Sequence, residues 1–206
     1  SIFYFRGTHL LFALVLIFLW HPSAPLQLKW LGPVMDGGLL IVSIASIGYI
    51  FVNHNYVLDR FAYVDDLRWT DLLLGTMLLI VTLEATRRVI GLALPLTAAF
   101  FLFYAIAIEQ IGYGELIDQM YLTTEGIFGI PLNVSATYMV LFILFGALVE
   151  HSGTGKLFRD FSLALAGASA GGPAKVACVT SAMFGTVSGS STANVLTPGT
   201  FTIPMM

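Results

Sequence analysis

The chain has 206 residues, of which 57% are hydrophobic and only 10% are charged, and its mean hydropathy is +0.88. Because about a quarter of the residues of a soluble domain are charged, this composition excludes an ordinary soluble protein and predicts an integral membrane protein. The net charge of −3 gives no indication of nucleic-acid binding, and the single cysteine, Cys178, cannot form a disulfide within the chain. The chain starts at Ser1 and stops at Met206 without a polar tail, so we expect a fragment of a longer protein.

Five apolar stretches are predicted to be transmembrane helices, since about 20 apolar residues in a helix span the hydrocarbon core. They cover approximately residues 5–21, 36–54, 70–90, 93–111 and 133–151. Prolines and glycines break the first link, and six charged residues between positions 59 and 71 make the second link polar. Lysines and arginines occur at both ends of successive spans, so the positive-inside rule assigns no orientation.

Residues 113–130 have an amphipathic helical pattern that is too polar to span a membrane. Glu115, Asp118 and Gln119 lie on one face, and apolar side chains lie on the other. The pattern predicts an interfacial helix along the membrane surface, with Asp118 accessible to a water-soluble reagent. This helix would join two modules, residues 1–112 and 113–206.

The last 34 residues are predicted to form a re-entrant helical hairpin. Residues 173–187 have a helical pattern, a run of small polar residues interrupts it, and an apolar pattern resumes from 192 to 206. Unsatisfied backbone groups in hydrocarbon cost several kcal/mol each, so such a run must be buried in protein or line a polar cavity. The predicted fold is therefore an all-α integral membrane protein with about five transmembrane helices, an interfacial amphipathic helix and a re-entrant hairpin.

The polar run between the two arms of the hairpin carries the candidate site. It presents many oxygen atoms and no charge, in Ser188, Gly189, Ser190, Ser191, Thr192 and Asn194. Hard cations prefer oxygen ligands, so Ser188, Ser190 and Asn194 are candidate Na⁺ ligands. A helix beginning just after the run would direct its positive end and free N–H groups at an anionic substrate. The alternative is a helix-packing surface, because residues 185–189 form a GxxxG motif.

Three segments carry a family resemblance: Leu83 to Pro95, Tyr121 to Thr137, and Phe184 to Val195 together with Gly199 to Met205. They resemble the fused permeases of tripartite ATP-independent periplasmic (TRAP) transporters, of the TAXI type with a DctM-like large subunit, and they occur in the order found in that family. Together they cover most of residues 80–206, whereas residues 1–80 match only in their apolar pattern. The resemblance implies that residues 1–112 are a four-helix module similar to the small permease subunit. Residues 113–206 would then be the connecting helix and the N-terminal part of the large transport module.

The resemblance also implies a function. TRAP permeases are secondary active transporters of the bacterial inner membrane, and they take up small organic anions such as C4-dicarboxylates by symport with Na⁺. A periplasmic substrate-binding protein delivers the substrate, and no cofactor is implied apart from the coupling ion. The resemblance places the polar run at the Na⁺ and substrate site of a multi-pass, elevator-type carrier whose second hairpin lies outside this sequence. The alternatives are an unrelated Na⁺-coupled hairpin carrier and a non-transporting membrane scaffold.

Charged residues near the ends of the predicted spans have two interpretations each. Glu84 is expected to pair with Arg87 and Arg88 at helical spacing, either as a structural or lipid anchor near the end of a span or as part of a proton relay. Glu150 and His151 either cap a span at the interface or take part in proton coupling.

The sequence contains no convincing enzyme motif. Residues 150–157 lack the first glycine and the final Ser or Thr of a P-loop, and Ser188 lacks the preceding glycine of a nucleophile elbow. We therefore predict that the chain is not an enzyme.

Overall fold

A computed structural model describes residues 2–22, 31–187, 194–195, 199 and 203, and these residues form helices joined by short links. No strand occurs in these ranges, which confirms the predicted all-α class. The chain divides into two compact units, Ser1–Asn133 and Val134–Met206. This division by compactness does not test which segments correspond to the two predicted modules. The predicted module boundary after residue 112 therefore stays a prediction.

The helices follow the predicted order along the chain. The first five are α1 (Ile2–Trp20), α2 (Leu31–Val52), the short α3 (His54–Asp59), α4 (Trp69–Ile90) and α5 (Ala93–Ala107). Next come α6 (Tyr113–Ile117), which continues into a π-helical turn (Asp118–Leu122), and α7 (Ile130–Val134), which continues through a second π-helical turn (Ser135–Met139) into α8 (Val140–His151). The last two are α9 (Thr154–Ala166) and α10 (Gly172–Gly185).

A helix is found at each of the five predicted spans. Three stretches are long and apolar enough to cross a membrane by themselves, namely Ile2–Trp20, Gly32–Val52 and Ile130–Val149. Helix α4 has 22 residues but carries four charged side chains, and α5 has only 15 residues. The chain is therefore an all-helical membrane protein, and the number of helices that cross the bilayer stays a prediction.

Helix α4 is the centre of the first unit, since it contacts α1, α2, α5 and α6. Its buried residues Leu78, Val81 and Ala85 follow the helical repeat and pack in one apolar core with residues of α1, α2 and the π-helical turn after α6. Hydrogen bonds between polar groups also join the helices. The Ser46 hydroxyl of α2 donates to a carbonyl of α4 at 3.2 Å. The Tyr121 hydroxyl in turn donates to the Ser46 carbonyl at 2.6 Å. Such bonds satisfy polar groups that would be costly in an apolar core.

A glycine of α4 brings the amphipathic segment close to the helix. A Cβ atom at Gly75 would lie 2.6 Å from Ile117 Cγ2 and 3.1 Å from the Tyr121 side chain. Ile117 and Tyr121 are both fully buried. The absence of a side chain at position 75 therefore lets α6 and its π-helical turn pack directly on α4.

The segment 113–130 differs from the prediction of one continuous surface helix. The helical part ends at Leu122, because Thr123 is extended, and residues 123–129 form turns. The turns contact α1, where Phe3 packs edge-on against Phe128 with ring centroids 5.8 Å apart. The buried Arg6 guanidinium donates to the Phe128 carbonyl.

The predicted exposure of Asp118 was also wrong. Asp118 is 2% exposed, and its carboxylate pairs with Arg60 at 2.5 Å and accepts the Tyr63 N–H at 2.9 Å. The polar residues of the segment follow a helical period, but such a period does not distinguish a carboxylate that faces water from one that pairs with an arginine distant in sequence. Glu115 is exposed, as the pattern predicted.

The second unit contains α8, α9 and α10. Helix α9 is strongly amphipathic, with Lys156 and Asp160 on its polar face, and it packs against α10 along most of its length. Gly171 precedes α10 with φ +72°, a left-handed conformation that glycine adopts without a steric penalty. Pro173 in the first turn of α10 has no N–H that would need a helical partner, so the Gly-Gly-Pro turn fixes the start of this helix.

Candidate substrate and ion site

The structure describes the two sides of the predicted polar run but not its centre. Of the six predicted site residues, Asn194 is described, while Ser188, Gly189, Ser190, Ser191 and Thr192 lie outside the described residues. The hairpin tip and its Na⁺ ligands therefore stay predictions. The structure describes helix α10, which leads to the tip, and Asn194 and Val195, which follow it.

Helix α10 is held in place by one apolar stripe that faces α9. Its buried residues Gly172, Val176, Thr180 and Phe184 recur every four positions. The Phe184 ring meets the Phe158 ring of α9 edge-on, with centroids 5.4 Å apart, and a Cβ at Gly155 would lie 3.1 Å from Phe184. These contacts fix the last turn of α10 and hence the position from which the polar run starts.

The C-terminal end of α10 leads directly into the polar run. The N–H groups of Thr186 and Val187 bond to the carbonyls of Met183 and Phe184, which tightens the end of the helix. Aligned peptide dipoles give a helix C-terminus a partial negative charge, and no basic residue lies in the last turn of α10 to compensate it. The end of α10 at Gly185 and Thr186 therefore favours a nearby cation.

Asn194 lies against this end of α10. Residues 194 and 195 are helical, and the Asn194 Nδ2 atom would be 3.6 Å from a Cβ atom at Gly185. The Asn194 Oδ1 atom is buried and has no hydrogen-bond partner among the described residues. A buried amide oxygen normally has a partner, so this atom is suited to accept a hydrogen bond or to contact a cation.

A second buried oxygen without a partner lies one helical repeat before Phe184. Thr180 is fully buried in the stripe facing α9, and its Oγ1 atom makes no hydrogen bond with any described residue. The neighbouring Ser162 of α9 is also fully buried, but its hydroxyl donates to the Phe158 carbonyl at 2.7 Å. Sequence analysis did not single out Thr180, because a threonine in an apolar helix gives no signal of its own.

The charged residues at the end of α4 form the predicted pairs. Glu84 accepts hydrogen bonds from Arg87 at 2.7 Å and from Arg88 at 2.9 Å. Arg88 also binds Asp36 of α2 at 2.7 Å and the His21 carbonyl at 3.1 Å, and its guanidinium lies over the Phe18 ring. This set of contacts joins α1, α2 and α4 and supports the anchoring interpretation of Glu84. The side chains of Glu150 and His151 lie outside the described part of the structure.

Sequence analysis missed another polar cluster, at the other end of α4. The Asp71 carboxylate is fully buried and accepts hydrogen bonds from the Tyr56 hydroxyl at 2.9 Å and the Arg68 N–H at 3.0 Å. Burial, followed by the hydrogen bond to Asp71, raises the pKa of the Tyr56 hydroxyl. The Arg68 guanidinium covers the Tyr56 ring, 3.9 Å from its centroid. These residues fix the start of α4 and are distant from the polar run in sequence.

No metal site of the common kind occurs in the described ranges. There, no group of three or more His, Cys, Asp or Glu side chains is arranged to hold a metal ion. Among the described residues of the second unit, the buried oxygens without a hydrogen-bond partner are the Asn194 amide oxygen and the Thr180 hydroxyl, and neutral oxygens suit a monovalent hard cation.

A comparison with protein families identifies the family of the chain. A family model for the DctM component of the tripartite ATP-independent periplasmic transporter matches residues 77–206. The chain belongs to this family. Comparison with curated proteins and with solved structures gave no significant match.

The match confirms the family resemblance found in the sequence. It begins within α4 and extends through the polar run, so all six predicted site residues lie inside it. DctM proteins are transporter components and not enzymes. The chain is thus a TRAP permease component, and its apolar helices place it in a membrane.

Proposed function

We propose that this DctM-family chain takes part in Na⁺-coupled uptake of small organic anions across the bacterial inner membrane, with carboxylates as the substrate class. A periplasmic substrate-binding protein would deliver the anion. The observation that carries the proposal is the uncharged, oxygen-rich run that follows the C-terminal end of α10, with Asn194 beside that end and its amide oxygen buried. The family match favours a TRAP carrier over an unrelated hairpin carrier.

The chemistry of the run supports Na⁺ as the coupling ion. A neutral set of hydroxyl, amide and carbonyl oxygens can replace the hydration shell of a monovalent cation, and the partial negative charge at the end of α10 adds attraction. We assign Ser188, Ser190 and Asn194 as ligands or as residues that hold the ligating carbonyls. A second hairpin from the rest of the large subunit would complete the site.

The residues after the run support an anionic substrate. Asn194 and Val195 are helical, so a helix that starts near them would present free N–H groups and a partial positive charge to the tip. A carboxylate could then bind on one side of the tip and Na⁺ on the other. Gly189, Ser191 and Thr192 would contact the substrate through backbone N–H and hydroxyl groups.

The proposal is tested by uptake of a labelled organic anion by the complete transporter in proteoliposomes, as the Na⁺ concentration is varied. Ser190→Ala and Asn194→Ala should raise the half-saturating Na⁺ concentration. Loss of one hydrogen bond to a charged partner costs about 1.5–3 kcal/mol, which is roughly a tenfold to hundredfold loss of apparent affinity.

Ser169→Ala is the matched control. Ser169 lies before α10, and its exposed hydroxyl donates to the Ala166 carbonyl and accepts a hydrogen bond from Lys175 of α10. It should keep the wild-type Na⁺ dependence. If both tip variants transport with wild-type Na⁺ dependence, the run is a packing surface, and the scaffold interpretation of this segment is favoured. Uptake without an added binding protein would contradict the proposed partner but not the Na⁺ site.

A further inference from the structure

The described part of the chain contains two π-helical turns, and their surroundings differ. In a π-helical turn each N–H bonds to the carbonyl five residues earlier, and such turns occur within α-helices, frequently at functional sites. The first turn, Asp118–Leu122, is held by buried side chains, and its Tyr121 is fully buried. The second turn, Ser135–Met139, contains no buried residue. The same backbone form is therefore packed into the core at one place and not at the other.

The chain is anchored shortly before the second turn. The buried Arg6 guanidinium of α1 donates to the Phe128 carbonyl, and its Nε atom donates to Asn133 Oδ1 at 3.4 Å. The Asn133 N–H bonds to the Gly129 carbonyl at 3.2 Å. The Phe128 ring is fully buried and packs against Phe3. The start of α7 is thus held on α1 by both side-chain and backbone groups.

Beyond this anchor, buried side chains do not hold the helix in the described structure. No residue of the stretch Ile130–Val149 is buried. The boundary between the two compact units falls between Asn133 and Val134, one residue before the second turn. Segments with few buried contacts open at low free energy. The second turn therefore lies where a fixed helix start is followed by a helix that is free of the core.

The second turn gives this helix another accessible form. A π-helical turn contains about one residue more than an α-helical turn, so its conversion to α-helical hydrogen bonds would rotate α8 by about 100° and shift it by about 1.5 Å relative to α7. Val134 and Val140 on either side of the turn both have α-helical dihedral angles, so neither flank opposes the conversion.

We propose that the second π-helical turn is a hinge, at which α8 changes its rotation and direction relative to α7, and that Arg6 is the anchor that keeps α7 in place. A few residues at the end of an element are enough to absorb such a change. The hinge would let α8 move without breaking the contacts of α7. It follows from the backbone and the anchor, and it does not rest on the proposed Na⁺ coupling or substrate.

The hinge is tested by the distance between two spin labels on the complete transporter in nanodiscs, in a background without native cysteines. Ile130→Cys and Ala147→Cys place exposed labels on either side of the second turn. Leu73→Cys and Ile90→Cys place exposed labels equally far apart in α4, a continuous α-helix, and should give one narrow distance of about 26 Å. The pair across the turn should give two distances or a broad distribution. Equally narrow distributions for both pairs would overturn the hinge.

Deletion of Ala136 separates a hinge from fraying of the helix. The deletion removes the extra residue that a π-helical turn accommodates, so α7 and α8 should become one continuous α-helix. The distribution across the turn should then narrow to the width of the α4 pair, and the α4 pair in the same variant should stay unchanged. A distribution that stays broad after the deletion would show that the motion does not arise in the turn, and the hinge would be refuted.

The anchor is tested with labels at Phe12→Cys of α1 and at Ile130→Cys, which should give a narrow distance in the wild-type background. Arg6→Met removes the donors at the start of α7 and should broaden this distance. Thr8→Val is the matched control, because Thr8 is exposed and its hydroxyl donates to carbonyls of its own helix. It should leave the distance narrow. A narrow distance in Arg6→Met, or equal broadening in both variants, would overturn the assignment of Arg6 as the anchor.

Discussion

The buried pair of Arg60 and Asp118 should contribute strongly to the stability of the first unit. The two side chains are 4% and 3% exposed, their closest atoms are 2.5 Å apart, and the Asp118 carboxylate also accepts the Tyr63 N–H. Removing one member of a buried pair leaves an unpaired charge without water, which typically costs about 3–5 kcal/mol. We therefore expect Asp118→Leu to lower the free energy of unfolding by about that amount.

A double-mutant cycle separates the pair from the burial of either residue. Arg60→Met combined with Asp118→Leu removes both charges, so it should cost only about 1–3 kcal/mol, mainly from the Tyr63 N–H left without its acceptor. The measurement is equilibrium unfolding in mixed micelles with increasing sodium dodecyl sulfate, followed by tryptophan fluorescence. Trp69 at the start of α4 lies in the same unit.

Two results would refute this reasoning. The first is an Asp118→Leu variant within about 0.5 kcal/mol of wild type, as for an ordinary surface substitution. The second is a double variant whose loss equals the sum of the single losses, since the two residues would then not interact. A membrane-impermeant thiol reagent gives an independent check in a Cys178→Ala background, because it should label Glu115→Cys and spare Asp118→Cys.

Three further predictions concern other helix contacts, each measured by thermal unfolding in detergent. Gly75→Ala should destabilise the chain by about 1–3 kcal/mol, because the new Cβ overlaps the amphipathic segment. Gly48→Ala is the control: its Cβ would have no neighbouring atom within 4 Å in the described structure, so it should stabilise the chain by up to about 1 kcal/mol. Arg88→Met should cost about 3–5 kcal/mol, while Arg87→Met, whose side chain is 46% exposed, should cost less than about 1 kcal/mol; similar losses would contradict the anchoring role. Thr180→Val should be neutral or slightly stabilising, since its buried hydroxyl has no partner in the described structure; a loss of Na⁺-dependent uptake at unchanged stability would instead make that hydroxyl part of the ion site.

Local patterns predicted the helices and the local ion pairs well. Each predicted span coincides with a helix. Lipid offers the backbone no hydrogen-bond partners, so a long apolar run satisfies its N–H and C=O groups within a helix. The pairs of Glu84 with Arg87 and Arg88 follow from the spacing of one helix, and both form.

Contacts between distant parts of the chain could not be predicted. Asp36 binds Arg88 across 52 positions, and Asp118 binds Arg60 across 58, so no local period connects either pair. The sequence signal at both positions is an acidic residue in or beside an apolar stretch, and it does not indicate a distant partner. The same gap affects the candidate site, since the sequence places an oxygen-rich run after α10 but cannot show which oxygens converge.

The position of α4 affects how the protein can be divided. The family match begins at residue 77, yet α4 runs without a break from Trp69 to Ile90. The part of α4 before the match contains Asp71, which fixes the start of the helix, and Gly75, on which the amphipathic segment packs. A chimera joined at residue 77 would therefore combine two halves of one helix from different parents. Exchange of N-terminal modules between relatives should instead use a junction that keeps α4 whole.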